Sequence, residues 1–387
     1  MRISKLRDLI LWATAALTVA LVAGIAAPMQ GQSTFKLLHG FLGGNDGANP
    51  ASGVIFGPKG YLYGVTLDGG AYNWGTVFSI SPGGRYKLLY TFTGGEDGAS
   101  PNNQLTVVGT SLYGVTNSAG AYNQGTIFEI DPATGIETTL YTFTGSADGG
   151  VPDCAMIPDT AGNLYGNTFF GGANGAGTVF RFEPSNGSLA TLYSFKGGAD
   201  GQYPFGRMAR DAWGNLYGAT VEGGASNFGT IFKLSHSGVE TVLYTFLGWP
   251  VHDVYYPYAD LIKDSAGNLY GGGTSGGAGN GAIFKVSKTG EETIYNVPSG
   301  TAGASHGVVA DSAGNLYGTL GNVGYYGGVF KMDTSGTFTI LYTFTGGLDG
   351  ASPGGAGVVR DAKGYLYGTT DSGGARKYGT VFELTFP

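Results

Sequence analysis

The tripeptide Leu-Tyr-Gly occurs seven times in this chain at a nearly constant interval. Its tyrosines advance by 50, 52, 52, 53, 47 and 50 residues. They are Tyr63, Tyr113, Tyr165, Tyr217, Tyr270, Tyr317 and Tyr367. A fixed period of about 20 to 50 residues is typical of repeat architectures, in which each unit buries its apolar surface against its neighbours. The chain is therefore expected to fold as seven similar units.

Each repeat contains four short apolar runs. In the first repeat these are residues 54–56, 61–65, 75–78 and 89–92, and the next repeat follows a turn of the form Asp-Gly-x-x-Pro at 97–101. The runs are rich in Val, Ile, Tyr, Phe and Thr, and Gly, Asn and Asp separate them, which is the pattern of short strands joined by tight turns. Four strands per repeat match a propeller blade. We predict an all-β, seven-bladed β-propeller with four antiparallel strands per blade.

Composition agrees with this interpretation. The chain has 74 Gly and 15 Pro among 387 residues, with 42% hydrophobic and 12% charged residues. The apolar content argues against a disordered polymer, and the glycine content indicates many turns.

The two ends of the repeat array predict how the ring closes. Residues 35–41 match the last strand of a repeat, whereas the chain stops at 379–387, after a third strand. Pairing the N-terminal strand with the C-terminal blade would remove two open sheet edges. We therefore expect the last blade to combine strands from both ends of the chain.

The first residues have a different character. Arg2, Lys5 and Arg7 precede an apolar stretch at 9–27, which is the pattern of a secretory signal peptide, with cleavage expected near Ala26. An uncleaved membrane anchor is the alternative, because a stretch of about 18 residues approaches spanning length. The predicted organisation is as follows: signal peptide 1–26, linker 27–33 and propeller 34–387, with repeats near 52–93, 103–144, 153–196, 205–247, 258–297, 305–345 and 355–387 plus 34–42.

Net charge and cysteine content limit the kinds of partner that we expect for this protein. Cleavage would remove three basic side chains and Asp8, so the formal charge would move from −7 to −9. An acidic protein is not expected to bind nucleic acid or anionic lipid. Cys154 is the single cysteine, so no intrachain disulfide can form, and its apolar surroundings predict an inert core thiol. We expect a secreted or periplasmic monomer without stable membrane insertion, with a polysaccharide or a protein as its ligand.

The repeated Leu-Tyr-Gly, Gly-Thr-Val-Phe and Leu-Tyr-Thr-Phe blocks resemble the GloVer repeat of bacterial choice-of-anchor tandem-repeat proteins, over most of the chain. The resemblance implies an exported, propeller-like repeat protein. Some members of that family carry a C-terminal sorting anchor, whereas this sequence ends at Phe386-Pro387 without a hydrophobic tail. Release outside the cell or into the periplasm is the corresponding expectation.

One candidate ligand surface lies on the face that collects the Asp-Gly turns and the loops between second and third strands. Aromatic rings stack on sugars, and amides bind hydroxyl groups, so these loops suggest carbohydrate binding. Gap filling between neighbouring loops is the alternative. The candidate residues are Tyr72, Trp74, Tyr122, Asn123, Phe228, Tyr325, Tyr326 and Tyr378.

The aspartates of the turns suggest calcium, because carboxylates are hard oxygen ligands. They are Asp46, Asp97, Asp148, Asp200, Asp253 and Asp349. Turn chemistry explains them without an ion, because Asp before Gly accepts hydrogen bonds from its own backbone. We predict no metal and no other cofactor, with calcium as the alternative. A second set is also assigned to turns: Asp159, Asp211, Asp264, Asp311 and Asp361.

The repeat pattern breaks at 249–258 and again near His306. His252 could act as a general base oriented by Asp253, with His306 as an acid or substrate ligand and Tyr255 or Tyr256 as a further donor. The enzyme hypothesis is a lyase or hydrolase acting on a sugar-like substrate. A structural role in the cell envelope is a third alternative. The sequence contains no phosphate-binding loop, zinc-ligand spacing or nucleophile elbow.

Overall fold

The computed structural model describes residues 33–248, 253–273, 275–299, 301, 303, 307–321 and 325–386. Over these residues it contains 28 strands, numbered β1 to β28 in chain order, and two single-turn 3-10 helices at Pro58–Gly60 and Gly198–Asp200. No helix in this part of the chain has the length and apolarity needed to cross a membrane.

The strands form seven four-stranded antiparallel sheets, which are the blades. Blade 1 contains β2 (Val54–Phe56), β3 (Leu62–Thr66), β4 (Thr76–Ile80) and β5 (Tyr86–Thr91). Blade 2 contains β6 (Thr106–Val108), β7 (Ser111–Thr116), β8 (Thr126–Ile130) and β9 (Glu137–Thr142). Blade 3 contains β10 (Ile157–Pro158), β11 (Leu164–Thr168), β12 (Thr178–Glu183) and β13 (Ser188–Ser194). Blade 4 contains β14 (Gln202–Arg210), β15 (Leu216–Glu222), β16 (Thr230–Leu234) and β17 (Glu240–Thr245). Blade 5 contains β18 (Ile262–Lys263), β19 (Leu269–Gly273), β20 (Ala282–Val286) and β21 (Glu292–Asn296). Blade 6 contains β22 (Val309–Ala310), β23 (Leu316–Leu320), β24 (Gly328–Met332) and β25 (Phe338–Thr343). Blade 7 contains β26 (Ala351–Arg360), β27 (Leu366–Ser372), β28 (Thr380–Thr385) and β1 (Thr34–Gly40).

The chain is thus a seven-bladed β-propeller, and the predicted fold is confirmed. The first strand of each blade is innermost, because first strands of neighbouring blades contact one another, as β2 does with β26 and β14 does with β18. The first strands therefore line the central axis. We call the face that carries the Asp-Gly turns the upper face.

Blade 7 closes the ring as the sequence predicts. In the antiparallel pair of β1 and β28, Leu37 lies opposite Phe382 and His39 opposite Val381. Phe35 also stacks on Tyr342 of blade 6, with ring centroids 4.9 Å apart. The two ends of the chain consequently share one sheet and have no open edge where they meet.

The core lies between the blades, which explains why the strands are apolar on both faces. In blades 1 to 5 and 7, the Phe of the third-strand block (Gly-Thr-Val-Phe in blade 1) meets a Phe from the preceding blade, as in Phe92 and Phe128, whose ring centroids are 5.1 Å apart. The same Phe128 ring covers Gly114 of its own blade, where a Cβ would overlap the ring. The glycine of Leu-Tyr-Gly is therefore required by cross-strand packing within the blade.

Both sets of aspartates hold turns, as the turn hypothesis predicts. Asp97 accepts hydrogen bonds from the Thr93 backbone N–H at 2.7 Å and from the Tyr90 hydroxyl at 3.0 Å. Asp211 accepts from the Asn215 backbone N–H at 2.9 Å and from the Tyr217 hydroxyl at 2.9 Å. The tyrosine of the Leu-Tyr-Thr-Phe block therefore donates a hydrogen bond to one kind of turn aspartate, and the tyrosine of the Leu-Tyr-Gly block donates to the other kind.

Candidate functional site

The upper end of the axis contains a cavity of about 180 Å³, which we call the upper axial cavity. Residues from six blades line it, because each first strand begins at the upper face and turns alternate side chains toward the axis. Its polar lining includes Ser52, Asn103, Gln104, Asp153, Asp260 and Asp371.

Asp153 is the most extensively bonded acid of this cavity. The Asn103 side-chain amide donates to its carboxylate at 2.9 Å, and Asn117 supplies a further hydrogen bond. Burial, with a smaller contribution from the charge of Asp260, nevertheless raises the pKa of Asp153. The adjacent Cys154 is fully buried, and burial raises the pKa of its thiol to about 12, so the thiol is part of the core as predicted.

Asp371 has a different environment at the end of β27. Its Oδ1 atom is enclosed and has no hydrogen-bond partner among the described residues. Burial raises the pKa of Asp371 to about 6. The Ser52 hydroxyl, which lines the same cavity, and the Asn117 Oδ1 atom are likewise buried without a described partner.

A row of aromatic rings leads away from this cavity across blades 3 to 5. Phe205 lines the cavity and lies edge-on to Tyr258 and Phe169, at 5.0 and 6.5 Å between centroids. Phe169 stacks on Tyr203 at 5.1 Å, and Phe170 meets both rings edge-on. Phe170 is 45% exposed. We call these five residues the aromatic strip.

The predicted rim aromatics fall into two groups. Trp74, Phe228, Tyr326 and Tyr378 each cover a glycine of a neighbouring turn, where a Cβ would overlap the ring. This is the gap-filling role that the sequence analysis left open. Tyr72, Tyr122 and Tyr325 are 60%, 60% and 92% exposed, and Asn123 is exposed beside Tyr122. Each of these residues belongs to the loop of its own blade, and none of them lines the upper axial cavity.

The proposed catalytic set is described only in part. His252 and His306 lie outside the described residues. Asp253 is buried and accepts hydrogen bonds from the Leu247 backbone N–H at 2.6 Å and the Tyr244 hydroxyl at 3.1 Å. Tyr255 is half-buried against the rings of Phe228 and Tyr256.

Metal ligation has no obvious location in the part of the chain that the structure describes. No group of three or more His, Cys, Asp or Glu side chains is arranged there to hold an ion. The turn aspartates accept hydrogen bonds from their own turns, as Asp349 does from the Thr345 backbone N–H at 2.8 Å.

Sequence reasoning missed the axial residues, although the repeats contain a signal for them. In five blades the residue after the recurring threonine of the second strand differs: Leu67, Asn117, Phe169, Val221 and Asp371. Two of these, Phe169 and Asp371, belong to the aromatic strip and to the upper axial cavity. A repeat position that varies while its neighbours stay constant is not required by the scaffold and is available for another role.

Comparisons with known proteins agree with this architecture. The family model named Gloeobacter/Verrucomicrobia repeat matches residues 23–212, 109–282 and 198–382. No curated protein sequence matches the chain significantly.

Solved structures show the same fold at low identity. An oligogalacturonate lyase from Vibrio parahaemolyticus matches with a TM-score of 0.55 and 9% identity, over 92% of this chain and 99% of that one. A protein provisionally named a 6-phosphogluconolactonase, from Bacteroides fragilis, matches with a TM-score of 0.51 and 19% identity, over 76% of this chain and 83% of that one. A protein of the same provisional name from Bacteroides uniformis matches with a TM-score of 0.51 and 16% identity, over 76% and 84%.

Proposed function

The chain belongs to the Gloeobacter/Verrucomicrobia repeat family, and we propose that it is an exported binding protein whose upper axial cavity holds a neutral carbohydrate. The family and the fold do not specify a ligand, so the proposal depends on the chemistry of the cavity.

The proposal rests on buried polar atoms that have no hydrogen-bond partner among the described residues. These are the Ser52 hydroxyl and the Asp371 Oδ1 atom, both in residues that line the cavity. Leaving a buried polar group unpaired costs about 1 to 3 kcal/mol, so such groups are rare unless a ligand or water satisfies them. Sugar hydroxyls are suitable partners, because each can donate to a carboxylate or amide oxygen.

The aromatic strip supplies the complementary apolar surface. Phe205 places one ring in the cavity wall, and the exposed Phe170 ends the strip on the upper face. Aromatic rings can stack on the apolar face of a sugar. Three carboxylates, Asp153, Asp260 and Asp371, line the cavity and disfavour an anionic ligand. A neutral sugar fits both features.

The proposed carbohydrate site lies on the axis, whereas the sequence analysis expected it on the rim. Variants at the two locations distinguish between them. A glycan array would identify a ligand, and calorimetric titration would measure its affinity. We expect Asp371→Ala and Asn103→Ala to weaken binding about tenfold or more, because each removes a polar contact in an enclosed site.

The matched rim control is Tyr72→Ala, which should bind like the wild type. Loss of binding in Tyr72→Ala or Tyr122→Ala with normal binding in Asp371→Ala would place the site on the rim instead. An array without any binding would contradict carbohydrate recognition altogether.

A second candidate function is catalysis in the same cavity. Burial raises the pKa of Asp371 to about 6, and the carboxyl groups of Asp153 and Asp260 line the same space. A protonated and an ionised carboxyl group in one cavity can act as general acid and general base. Such a pair supports lyase or hydrolase chemistry on a sugar-like substrate.

A substrate screen with lactones and oligosaccharides tests this alternative. Asp371→Asn should lower the turnover strongly, and the pH profile of the residual turnover should lack the limb that belongs to Asp371. The histidine version of the hypothesis predicts instead that a double variant, His252→Ala with His306→Ala, loses turnover. If both variants keep full turnover, neither set of residues is catalytic.

A further inference from the structure

We propose that the lower end of the axis is a separate binding site, for a small organic anion that carries an apolar group. A cavity of about 400 Å³ lies there, and we call it the lower axial vestibule. It is lined by the lower parts of the first strands of blades 3 to 7. Gln104 and Asp260 line both this vestibule and the upper axial cavity, so they mark the boundary between the two.

Three cationic side chains line the vestibule: Arg207, Arg210 and Lys263. The whole chain is acidic, with 27 Asp and Glu against 20 Lys and Arg, so the cluster does not follow from overall composition. Cations gathered in a concave site attract anions more strongly than isolated surface charges do.

Arg207 is the strongest candidate for the anion contact. It is exposed in the middle of an innermost strand, β14, and makes no ion pair with any residue that the structure describes. Asp260 supplies the one carboxylate of the lining, and its Oδ1 atom accepts the Arg207 backbone N–H at 2.6 Å, so the three cations outnumber the acidic side chains of the vestibule. The guanidinium therefore retains donors in the fork geometry that matches a carboxylate.

Arg210 and Lys263 stand at the lower edge of the same strands. Arg210 lies over the Tyr165 ring at 5.4 Å, and its buried Nε atom has no described hydrogen-bond partner. Lys263 lies over the Tyr217 ring at 5.7 Å. Both cations therefore lie at blade interfaces, and neither forms an ion pair with a carboxylate of the described residues.

The wall formed by blades 5 to 7 is largely aliphatic. Ile262, Val309 and Val359 line it, and each lies opposite the tyrosine of its blade's Leu-Tyr-Gly block, namely Tyr270, Tyr317 and Tyr367. Equal register places the three side chains at one height around the axis. The vestibule thus combines cations with an apolar ring, and a carboxylate with a short hydrocarbon chain satisfies both.

Hexanoate is a suitable probe, with hexanol and acetate as analogues that lack the charge or most of the chain. Calorimetric titration should show hexanoate binding that weakens with added salt, and weaker binding of both analogues. Arg207→Gln should weaken hexanoate binding about tenfold or more, because it removes the charge-assisted contact.

Lys285→Gln is the matched control, because Lys285 also lies over a tyrosine ring, at 5.8 Å from Tyr270, but does not line the vestibule. It should leave hexanoate affinity unchanged, and thermal unfolding should show that both variants are folded. Asp371→Asn should also leave it unchanged, which separates this site from the upper axial cavity. Absence of hexanoate binding, equal binding of hexanol, or wild-type affinity in Arg207→Gln would overturn the proposal.

Discussion

At the scale of single residues, the scaffold and the candidate sites use the same residue types in opposite ways. Aspartates in the turns are surrounded by donors. Hydrogen bonds from Asn215 and its neighbours outweigh burial at Asp211, so its pKa lies below the usual value. The Oδ1 atom of Asp371 has no such donor among the described residues, and burial raises the pKa of this carboxyl group. The first kind of aspartate stabilises the fold, and the second kind is available to a ligand.

This contrast predicts opposite pH effects on stability. The folded pKa of Asp371 is raised to about 6, so the stability associated with its neutral form is present at low pH and is lost as the pH rises from about 4 to 6. Asp371→Asn should therefore stabilise the protein by about 1 to 3 kcal/mol at pH 8 and have little effect at pH 3.5. Urea unfolding at both pH values measures the difference.

Asp211→Asn is the comparison with the opposite sign. The folded pKa of Asp211 is lowered, so its contribution to stability is present at neutral pH and is lost as the pH falls through that pKa. The variant should be destabilised at pH 8 and closer to the wild type in acid. An Asp371→Asn protein less stable than the wild type at pH 8 would show that the carboxylate has an unrecognised partner.

At the scale of the strands, side-chain hydrogen bonds also connect neighbouring blades. Tyr244 of β17 donates to Glu292 of β21 in the next blade at 2.7 Å and also lies 3.1 Å from Asp253. Burial, with a further contribution from Asp253, raises the pKa of Glu292 to about 8. Two carboxyl groups around one hydroxyl hold the blades together best when one of them is protonated.

Stability at this interface should therefore fall as the pH rises from about 4.5 to 8, because the raised pKa means that ionisation of Glu292 is disfavoured in the fold. Glu292→Gln should increase the melting temperature at pH 9 more than at pH 4. Glu291→Gln is the matched control, because the neighbouring Glu291 is exposed. Equal effects of the two substitutions at pH 9 would contradict the interface explanation.

At the scale of the whole molecule, closure of the ring holds both axial sites in place. The upper axial cavity is lined from six blades, and blade 7 exists as a four-stranded sheet only because β1 joins β28. Residues at 52 and 371 are brought together although they lie far apart in sequence. Any opening at blade 7 would consequently widen the axis.

Deletion of residues 33–40 tests this dependence. Loss of β1 would expose the edge of β28, and an exposed strand edge favours association between chains. We expect a lower melting temperature and oligomers in light scattering. The control is Lys36→Ala, which removes only the exposed ion pair with Glu383 and should cost about 1 kcal/mol or less. A deletion variant that stays monomeric with an unchanged melting temperature would show that closure contributes little.

The sequence by itself determined the number of blades, the position of the split blade and the roles of the turn aspartates. These features depend on residues that recur from repeat to repeat. Because such residues act within one blade or against the next blade, the repeat period is enough to predict these features. Leu-Tyr-Gly, for example, forms part of the second strand of a blade. Its tyrosine donates a hydrogen bond to a turn aspartate, and its glycine lies beneath a phenylalanine ring.

Only the tertiary structure decided which of the variable residues meet. Asp153, Asp371 and Ser52 come from three blades, and no local pattern relates them, because their proximity arises from the arrangement of seven sheets around one axis. The rim aromatics show the same limit. Trp74 and Tyr72 are two positions apart in one loop and both are partly exposed, yet only the Trp74 ring covers a glycine, Gly94 of the neighbouring turn.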